Sequence, residues 1–332
     1  MPERSDAGHE KNDYAPGEIL FTGGGSQADN LAIRGFMHGP SSKGRKHIIT
    51  SKIEHHAVLY TCEALEKEGY RVTYLNVDKE GHVDLEQLKN ELSEDTALVS
   101  VMAANNEIGT IQPLKQISEL AHSVGAKFHT DAVQGFLKVP FSAKTLGADF
   151  ITISGHKVGG PKGIGALYIG PRVREPRPLL PGGGQEMGLR SGTEPTAQIA
   201  GFAKAVELRQ DSLADKLRHM ADIKAYAIEQ LTAIPDLRLI GDGKAPHVLS
   251  VALEGWPSQN IVTDLGSQGI CISAGSACHQ GKASQVVAAL KLPKRVAAGV
   301  IRLSFGPETT FEEIDACVEA LHRHHDTRMP ML

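Results

Sequence analysis

The sequence predicts an α/β fold: a mostly parallel, seven-stranded-type sheet with helices on both faces, plus a smaller C-terminal α/β domain. Short β-rich runs alternate with amphipathic segments from Ile19 onward, and this alternation is typical of parallel strands joined by helical crossovers. Hydrophobic residue types make up 41% of the 332 residues. That length and composition allow a sizeable core and favour two domains.

Seven runs rich in β-branched and aromatic residues are predicted as strands of the larger domain. They cover 18–22, 47–51, 71–77, 96–104, 127–132, 148–154 and 164–170. Amphipathic periodicity predicts helices between them, as at 57–69 and 113–125. The last run follows its predecessor too closely for a helical crossover, so we expect it to lie antiparallel to its neighbour or at an edge.

The pattern changes near residue 195, where a long helical stretch begins. Residues 194–234 predict a helix that is broken once, and the chain then returns to alternating strands and helices. The later predicted strands are LRLIG, HVLSVALEG, ICISAG and VIRLSFG, and the later predicted helices are SQNIVTDLGSQG and TFEEIDACVEALHRHH. We therefore expect an atypical N-terminal segment (1–17), a large domain (18–205) and a small C-terminal domain (206–332).

Composition excludes several classes of protein. The net charge of −4 does not favour a nucleic-acid partner. No apolar run reaches the roughly 18 residues of a membrane helix, and the polar N-terminus has no apolar signal core. The cysteines form no CxxC pair, so neither a disulfide framework nor a metal site is predicted, and a cytoplasmic location is expected. The four are Cys62, Cys271, Cys278 and Cys317.

The stretch ITISGHKVGGPKGIGALYIG, residues 151–170, ends a predicted strand on Lys157. An exposed loop lysine is one interpretation. A Schiff-base lysine is the other, because such an amine must be held at a fixed point, partly desolvated, to attack a carbonyl. Ligands of α/β sheets bind beyond the carboxyl ends of the strands, which is where this lysine is predicted to lie.

A second candidate is FTGGGSQADN, in which a strand ends, three glycines follow and a helix begins near Ser26. Backbone N–H groups at such a helix start bind anions, and the hydroxyl adds a donor. The pattern is neither a dinucleotide fingerprint nor a P-loop, so a single phosphate is favoured. A glycine-rich turn with a serine N-cap remains the structural alternative.

Polar residues also follow other predicted strands. Asp131 in HTDAVQ is either a helix N-cap or a buried carboxylate that pairs with a pyridinium nitrogen, and Gln134 lies one turn later. His55 and His56 open a helix after a strand, and a histidine there is either a cap or surface residue or an imidazole stacked on a cofactor ring. The two asparagines of MAANNEIGT would suit a hydrogen bond to a ring hydroxyl. Together with Lys157 these are the groups that pyridoxal phosphate requires.

Several ordered motifs resemble those of the cysteine desulfurases, a branch of the class V aminotransferase family with the type I pyridoxal-phosphate fold. The similarity extends from about Gly17 to about His324, nearly the whole chain. The motifs are SGHKVGGPKGIGALYIG, IEHHAV, NNEIG, HTDAVQ and GGGQEMGLRSGTEP.

The resemblance implies a role for each matching residue near the cofactor ring. Lys157 would be the Schiff-base lysine, Asp131 would pair with the ring nitrogen, and His55 would stack on the ring. Asn106 and Gln134 would contact the ring oxygen.

The resemblance also implies the phosphate and substrate contacts. A homodimer is implied, because Thr193 would reach the phosphate bound by the partner subunit. Arg302 would receive the substrate carboxylate through a bidentate guanidinium. The phosphate of the same subunit would be held by Gly25, Ser26, Ser154 and His156.

The same resemblance places the sulfur acceptor at Cys278, in the small-residue loop ICISAGSACHQGKAS. Its neighbours His279 and Lys282 would favour a thiolate, whereas the other three cysteines are interpreted as small core hydrophobes. The implied reaction removes sulfur from L-cysteine, gives L-alanine and leaves a persulfide on Cys278. Lys157 would move the α-proton, His55 would assist, and an acceptor such as an iron–sulfur scaffold or a thiolation pathway would receive the sulfur.

The chain departs from the family pattern in three places. FTGGG already stands at 21–25, so the usual preceding YLDNAATT-like segment is expected to be missing. Ser26-Gln27 replaces the usual Thr-Glu, and His-Gln-Gly-Lys follows Cys278. The alternatives left open are a selenocysteine lyase or aminotransferase of the same fold, and a truncated, catalytically silent homologue.

Overall fold

The computed structural model describes residues 16–140, 142–173, 176–274 and 284–327. Within these ranges the chain forms two compact units. Unit 1 comprises the described residues up to Leu75 together with Leu85–Ala103 and Pro113–Leu213. Unit 2 comprises Asn76–Asp84, Ala104–Gln112 and the described residues from Ala214 onward.

Unit 1 is built on a seven-stranded sheet of order β1-β7-β6-β5-β4-β2-β3. Its strands are β1 (Ile19–Thr22), β2 (His47–Ser51), β3 (Arg71–Leu75), β4 (Thr96–Ser100), β5 (Lys127–Asp131), β6 (Phe150–Ser154) and β7 (Gly165–Ile169). Strands β2 to β6 pair in parallel, and β7 pairs antiparallel with both β6 and β1. All seven predicted strands are confirmed, as is the antiparallel direction of the last one.

Helices surround this sheet. They are α1 (Gly25–Asn30), α2 (His56–Lys67), α3 (Leu85–Glu91), α4 (Leu114–Ser123), α5 (Ala143–Leu146) and α6 (Thr196–Gln210). Helix α1 continues directly as a π-helix over Leu31–Gly35, and short 3₁₀-helices cover Pro16–Glu18, Pro40–Ser42, Gly155–Val158 and Gln185–Gly188. Every residue of β2, β4 and β7 is buried, as expected for strands covered on both faces.

Unit 2 contains a three-stranded antiparallel sheet of order β10-β9-β8. Its strands are β8 (Leu237–Ile240), β9 (Val248–Leu253) and β10 (Val300–Ser304). Its helices are α7 (Leu213–Leu231), α8 (Ser258–Ser267), α9 (Gln285–Ala289), α10 (Lys294–Ala298) and α11 (Phe311–Thr327). The predicted break in the long helix falls between α6 and α7, where Ser212 has a φ of 53°.

The predicted strand ICISAG is wrong for its described part. Among residues 270–274, only Ser273 forms a β-bridge, with Arg302. Ile270 and Ile272 instead pack against the core of unit 2. Their alternating hydrophobicity is therefore satisfied by burial against side chains, without a ladder of backbone hydrogen bonds.

Across the part of the chain that the structure describes, no helix has both the length and the apolar character needed to cross a membrane.

Candidate active site

A cleft of about 360 Å³ lies where β1 meets α1 and where β6 ends. It is lined by Gly23, Gly24, Gly25, Ser26, Gln27, Ser154, His156, Lys162, Gly163 and Ile164. The backbone N–H groups that begin α1, two hydroxyls and a lysine make this cleft suitable for a phosphate. The structure thus brings together the four residues predicted to hold the phosphate of the same subunit. Sequence reasoning missed Lys162, although it stands in the quoted GGPKG motif.

Glycines are required around this cleft because side chains would collide there. Gly24 occupies the N-cap position with a φ of 142°, so Ser26 is not the cap. A Cβ on Gly25 would lie 2.9 Å from Val133 Cγ2. The backbone N–H of Gly23 donates to Gln27 Oε1 at 2.5 Å, which holds the turn against the helix.

Lys157 lies in the 3₁₀-helix that follows β6 and is exposed. Partial desolvation was expected from the sequence, and this expectation is wrong for the chain alone. The neighbouring glycines bear no side chain that could cover the amine, and a larger residue at Gly155 or Gly160 would collide with nearby atoms. A Cβ on Gly155 would lie 2.9 Å from Ile164 Cγ2, and one on Gly160 would lie 2.9 Å from the carbonyl oxygen of Gly155.

Ser154, the last residue of β6, is buried, and its Oγ lies 2.9 Å from His156 Nδ1. Burial lowers the pKa of His156, and the positive charge of Lys157 lowers it further. A neutral imidazole is therefore favoured beside the cleft, in hydrogen-bond contact with the serine hydroxyl.

Asp131 is the last residue of β5 and is 5% exposed. Its Oδ1 accepts a hydrogen bond from the backbone N–H of Val133 at 2.9 Å. Burial raises the pKa of this carboxyl to about 6, while the Val133 hydrogen bond and the charges of Lys157 and Lys138 act in the opposite direction. The carboxyl and the Lys157 amine therefore lie within electrostatic range of each other, as a site that flanks one ring requires.

His55 serves as the N-cap of α2. Its Nδ1 accepts from the backbone N–H of Ala57 at 3.2 Å. Because Nδ1 is an acceptor, the neutral ring carries its proton on Nε2. Burial lowers the pKa of His55, and the charge of Lys157 lowers it further. The cap interpretation is confirmed, and a neutral imidazole held by its cap remains compatible with stacking.

Two buried groups next to these residues were missed by sequence reasoning. Glu54 directly precedes His55 and is 1% exposed, and its Oε1 accepts from Ser51 Oγ at 2.5 Å and from the N–H of Met102 at 3.1 Å. Burial raises the pKa of Glu54 to about 8, so this carboxyl is mostly protonated at neutral pH.

Lys138 is 5% exposed, and its Nζ donates to Gln134 Oε1 at 3.0 Å. The sequence could have pointed to Glu54, because it precedes His55 in the IEHH motif. Nothing in the residues around Lys138 predicts that it is buried.

Arg302 and Asn106 belong to unit 2. Arg302 Nη1 donates to the carbonyl oxygen of Asn106 at 2.8 Å, and Nη2 donates to Ser273 Oγ at 3.4 Å. The buried Nε has no hydrogen-bond partner among the residues that the structure describes. The edge formed by Nε and Nη2 is thus oriented by two contacts and retains donors for a bidentate carboxylate.

The neighbouring turn is ordered by Asn105, whose Oδ1 accepts from the N–H groups of Glu107 and Ile108 at 2.8 and 3.0 Å. Asn105 is completely buried, whereas Asn106 is half-buried. The first asparagine of the motif therefore shapes the turn, and the second provides the carbonyl that holds Arg302.

The cysteines differ in exposure. Cys62 and Cys317 are buried, as expected, and burial raises the pKa of both thiols, that of Cys317 to about 11. Cys271 is exposed, so its interpretation as a core residue is wrong. Ile270 and Ile272 on either side pack against the core, which turns the intervening side chain outward. Cys278 lies outside the described residues, and Thr193 is exposed in the segment before α6.

The residues of unit 1 fit pyridoxal phosphate. The site offers an exposed amine, a buried acid within electrostatic range of it, a neutral imidazole and a glycine-walled cleft with anion donors. Lys157 and Asp131 do not line the cleft, which is the part suited to the phosphate.

Comparisons with known proteins identify the family of the chain. Residues 12–317 match the model of the aminotransferase class-V family. The chain is 44% identical over 311 residues to cysteine desulfurase IscS of Clostridium botulinum, covering 92% of this chain and 78% of that protein. It is 44% identical over 308 residues to cysteine desulfurase IscS of Methanosarcina thermophila, covering 92% and 76%.

Solved structures give the same result. A NifS-like protein aligns with a TM-score of 0.88 at 35% identity, covering 95% of this chain and 84% of that one. The apo cysteine desulfurase of Thermococcus onnurineus NA1 aligns with a TM-score of 0.82 at 25% identity, covering 94% and 80%. The chain therefore belongs to the class V aminotransferase family and, within it, to the cysteine desulfurases.

Proposed function

We propose that this chain is a pyridoxal-phosphate-dependent cysteine desulfurase that converts L-cysteine to L-alanine and passes the sulfur to an acceptor protein. The observation that carries the proposal is that the charge of Lys157 acts on both the Asp131 carboxyl and the His55 imidazole, in the same unit as a cleft suited to a phosphate. The relatives named cysteine desulfurase support the choice of cysteine as the substrate.

The bound cofactor would supply an electron sink for the pair released when the Cα–H bond of the substrate breaks. Lys157 removes and returns the proton at Cα as the general base and acid of the reaction. Asp131, whose carboxylate is held in place by the Val133 N–H, would accept a hydrogen bond from the protonated ring nitrogen. His55 can donate only through Nε2–H, because its Nδ1 already accepts the N–H of Ala57.

Arg302 binds the carboxylate of L-cysteine through its Nε and Nη2 edge. Its Nη1 is already used by Asn106, which fixes the plane of the guanidinium. Gln134 and Asn106 would contact the ring oxygen of the cofactor, and its phosphate would be held by Gly25, Ser26, Ser154 and His156. The chain forms a homodimer in which Thr193 reaches the phosphate of the partner subunit.

Cys278 is the sulfur acceptor in this proposal. Its thiolate attacks the substrate sulfur as the Cβ–S bond breaks, and the electron pair of that bond stays with Cβ. Cβ then takes up a proton, so that alanine departs and Cys278 is left as a persulfide. A second protein, such as an iron–sulfur scaffold, then takes the terminal sulfur. A reducing cytoplasm suits this chemistry because it keeps thiols free.

The proposal is tested by incubating the holoprotein with L-cysteine and dithiothreitol and measuring sulfide and alanine. We expect equal amounts of both products, and we expect Cys278→Ser to abolish sulfide release because serine cannot hold a persulfide. The matched control is Cys271→Ser, which replaces an exposed cysteine that has no role in the proposal and should retain activity. Unchanged sulfide release by Cys278→Ser would contradict the assigned acceptor, and keto-acid formation without alanine would contradict the reaction.

A further inference from the structure

Lys138 lies beneath the turn that carries Asp131 and Gln134. Two hydrogen bonds mark the ends of this turn: the N–H of Val133 donates to Asp131 Oδ1, and the N–H of Lys138 donates to the carbonyl oxygen of Gly135 at 3.0 Å. The Lys138 side chain folds back under this turn, and its Nζ lies 3.0 Å from Gln134 Oε1 and 3.5 Å from the carbonyl oxygen of Val133. At 5% exposure, this lysine is a buried part of unit 1.

This contact fixes the direction of the Gln134 carboxamide. An ammonium group has only donors, so it selects the amide oxygen and turns the amide nitrogen, with its two N–H groups, to the opposite side. The two ends of a glutamine amide are nearly equal in shape, and only hydrogen-bond partners decide which end faces which way. The contact with Lys138 therefore favours the orientation in which Gln134 offers its N–H donors to a group on the opposite side.

We propose that Lys138 is a positioning residue that makes Gln134 a hydrogen-bond donor to the ring oxygen of the bound cofactor and thereby favours the ionised form of that oxygen. The inference rests on the proposed function, because it assumes that the cofactor ring lies beside Gln134. A hydrogen-bond donor stabilises the charged form of an acceptor, so Gln134 would favour the anionic phenolate form of the cofactor's ring oxygen.

The charges that act on Lys138 come from three residues. Burial lowers its pKa to about 7, the positive charges of Lys157 and Arg209 act in the same direction, and Asp131 opposes them. Lys138 thus carries its positive charge most fully below pH 7, and comparisons of variants are best made at and below that pH.

The test measures the absorption bands of the holoprotein, whose ratio reports the ionisation of the cofactor's ring oxygen, from pH 5.5 to 8. Lys138→Met keeps the length of the side chain and removes its donors. We expect the population with an ionised oxygen to fall about 3- to 10-fold in Lys138→Met, the equivalent of one hydrogen bond. Gln134→Leu should cause a change of the same direction and size.

The double variant separates positioning from a direct effect of charge. If Lys138 acts through Gln134, adding Lys138→Met to Gln134→Leu causes no further change. An equal further change would overturn the inference, because it would show that Lys138 acts on the ring by charge alone. An unchanged band ratio in Lys138→Met would also overturn it.

Two controls keep the result interpretable. Lys204→Met removes an exposed lysine of α6 and should leave the bands unchanged. Lys138→Ala is measured in parallel, with melting temperature and bound cofactor determined for each variant, so that a folded protein without the lysine is available. If the wild-type protein shows no cofactor absorption band, the proposed function itself is rejected. If the wild-type bands are normal and the Lys138 variants show the same band ratio, only this inference is rejected.

Discussion

Lys157→Ala is expected to reduce desulfurase turnover by several orders of magnitude and to remove the visible absorption band of the holoprotein. In the proposed function, the amine of Lys157 is both the covalent attachment for the cofactor and the group that moves the substrate α-proton, so its loss should remove both roles. Cofactor retention after gel filtration, the absorption spectrum and sulfide release are measured on the same sample.

Lys162→Ala is the matched control for Lys157→Ala. Lys162 lines the cleft suited to the phosphate, five positions further along the chain. Its loss should weaken cofactor affinity but retain the absorption band at saturating cofactor, because it is not the attachment point. A Lys157→Ala protein that keeps both its band and its turnover would contradict the assignment.

Asp131→Asn is expected to change activity and stability in opposite directions. Asparagine keeps an oxygen for the Val133 N–H but cannot stabilise a protonated ring nitrogen. Activity should therefore fall on the order of 10²- to 10³-fold, as for the loss of one preorganised electrostatic group. The apoprotein should instead become more stable at neutral pH.

The stability gain follows from the raised pKa of Asp131. Between the ordinary value of 3.8 and about 6, the folded state binds more protons than the unfolded state, so this group destabilises the fold as pH rises through that window. Above pH 6 the whole penalty, roughly 1–3 kcal/mol, is present, and Asn removes it. The gain should vanish below pH 4, which thermal denaturation of the apoprotein at pH 4 and 7.5 will check.

Asp149→Asn, at the residue that precedes β6, provides the opposite case. Burial alone would raise the pKa of Asp149, but hydrogen bonds from His122, the Phe128 N–H and Arg172, with the charge of Lys127, hold it below its usual value. This carboxylate therefore stabilises the fold above pH 3.8, and its loss should lower the melting temperature at pH 7.5. Equal shifts for Asp131→Asn and Asp149→Asn would contradict the linkage argument.

The strands of unit 1 were predictable because their pattern is set by local rules. Parallel strands buried on both faces appear as continuous β-branched runs, and β2 and β4 are of this kind. The short connection after β6 leaves no room for a crossover helix, which is why the direction of β7 could be predicted as well.

Features that depend on tertiary packing were less accessible. Ile270 and Ile272 have the alternation of a strand, yet they pack on a core without joining the sheet, and this also turns Cys271 outward. Lys157 was expected to be partly desolvated, but its glycine neighbours leave it exposed. Lys138 is spaced from Gln134 like an ordinary surface residue, and only the fold of the turn buries it beneath the amide.

The central claim, that Lys157 is the attachment point of the cofactor, is tested most directly by borohydride reduction of the holoprotein, followed by proteolysis and mass spectrometry. The expected result is one modified peptide, with the reduced cofactor on Lys157. Modification of Lys138 or Lys162 in its place, or recovery of Lys157 unmodified from a protein that contains a full equivalent of cofactor, would contradict the account.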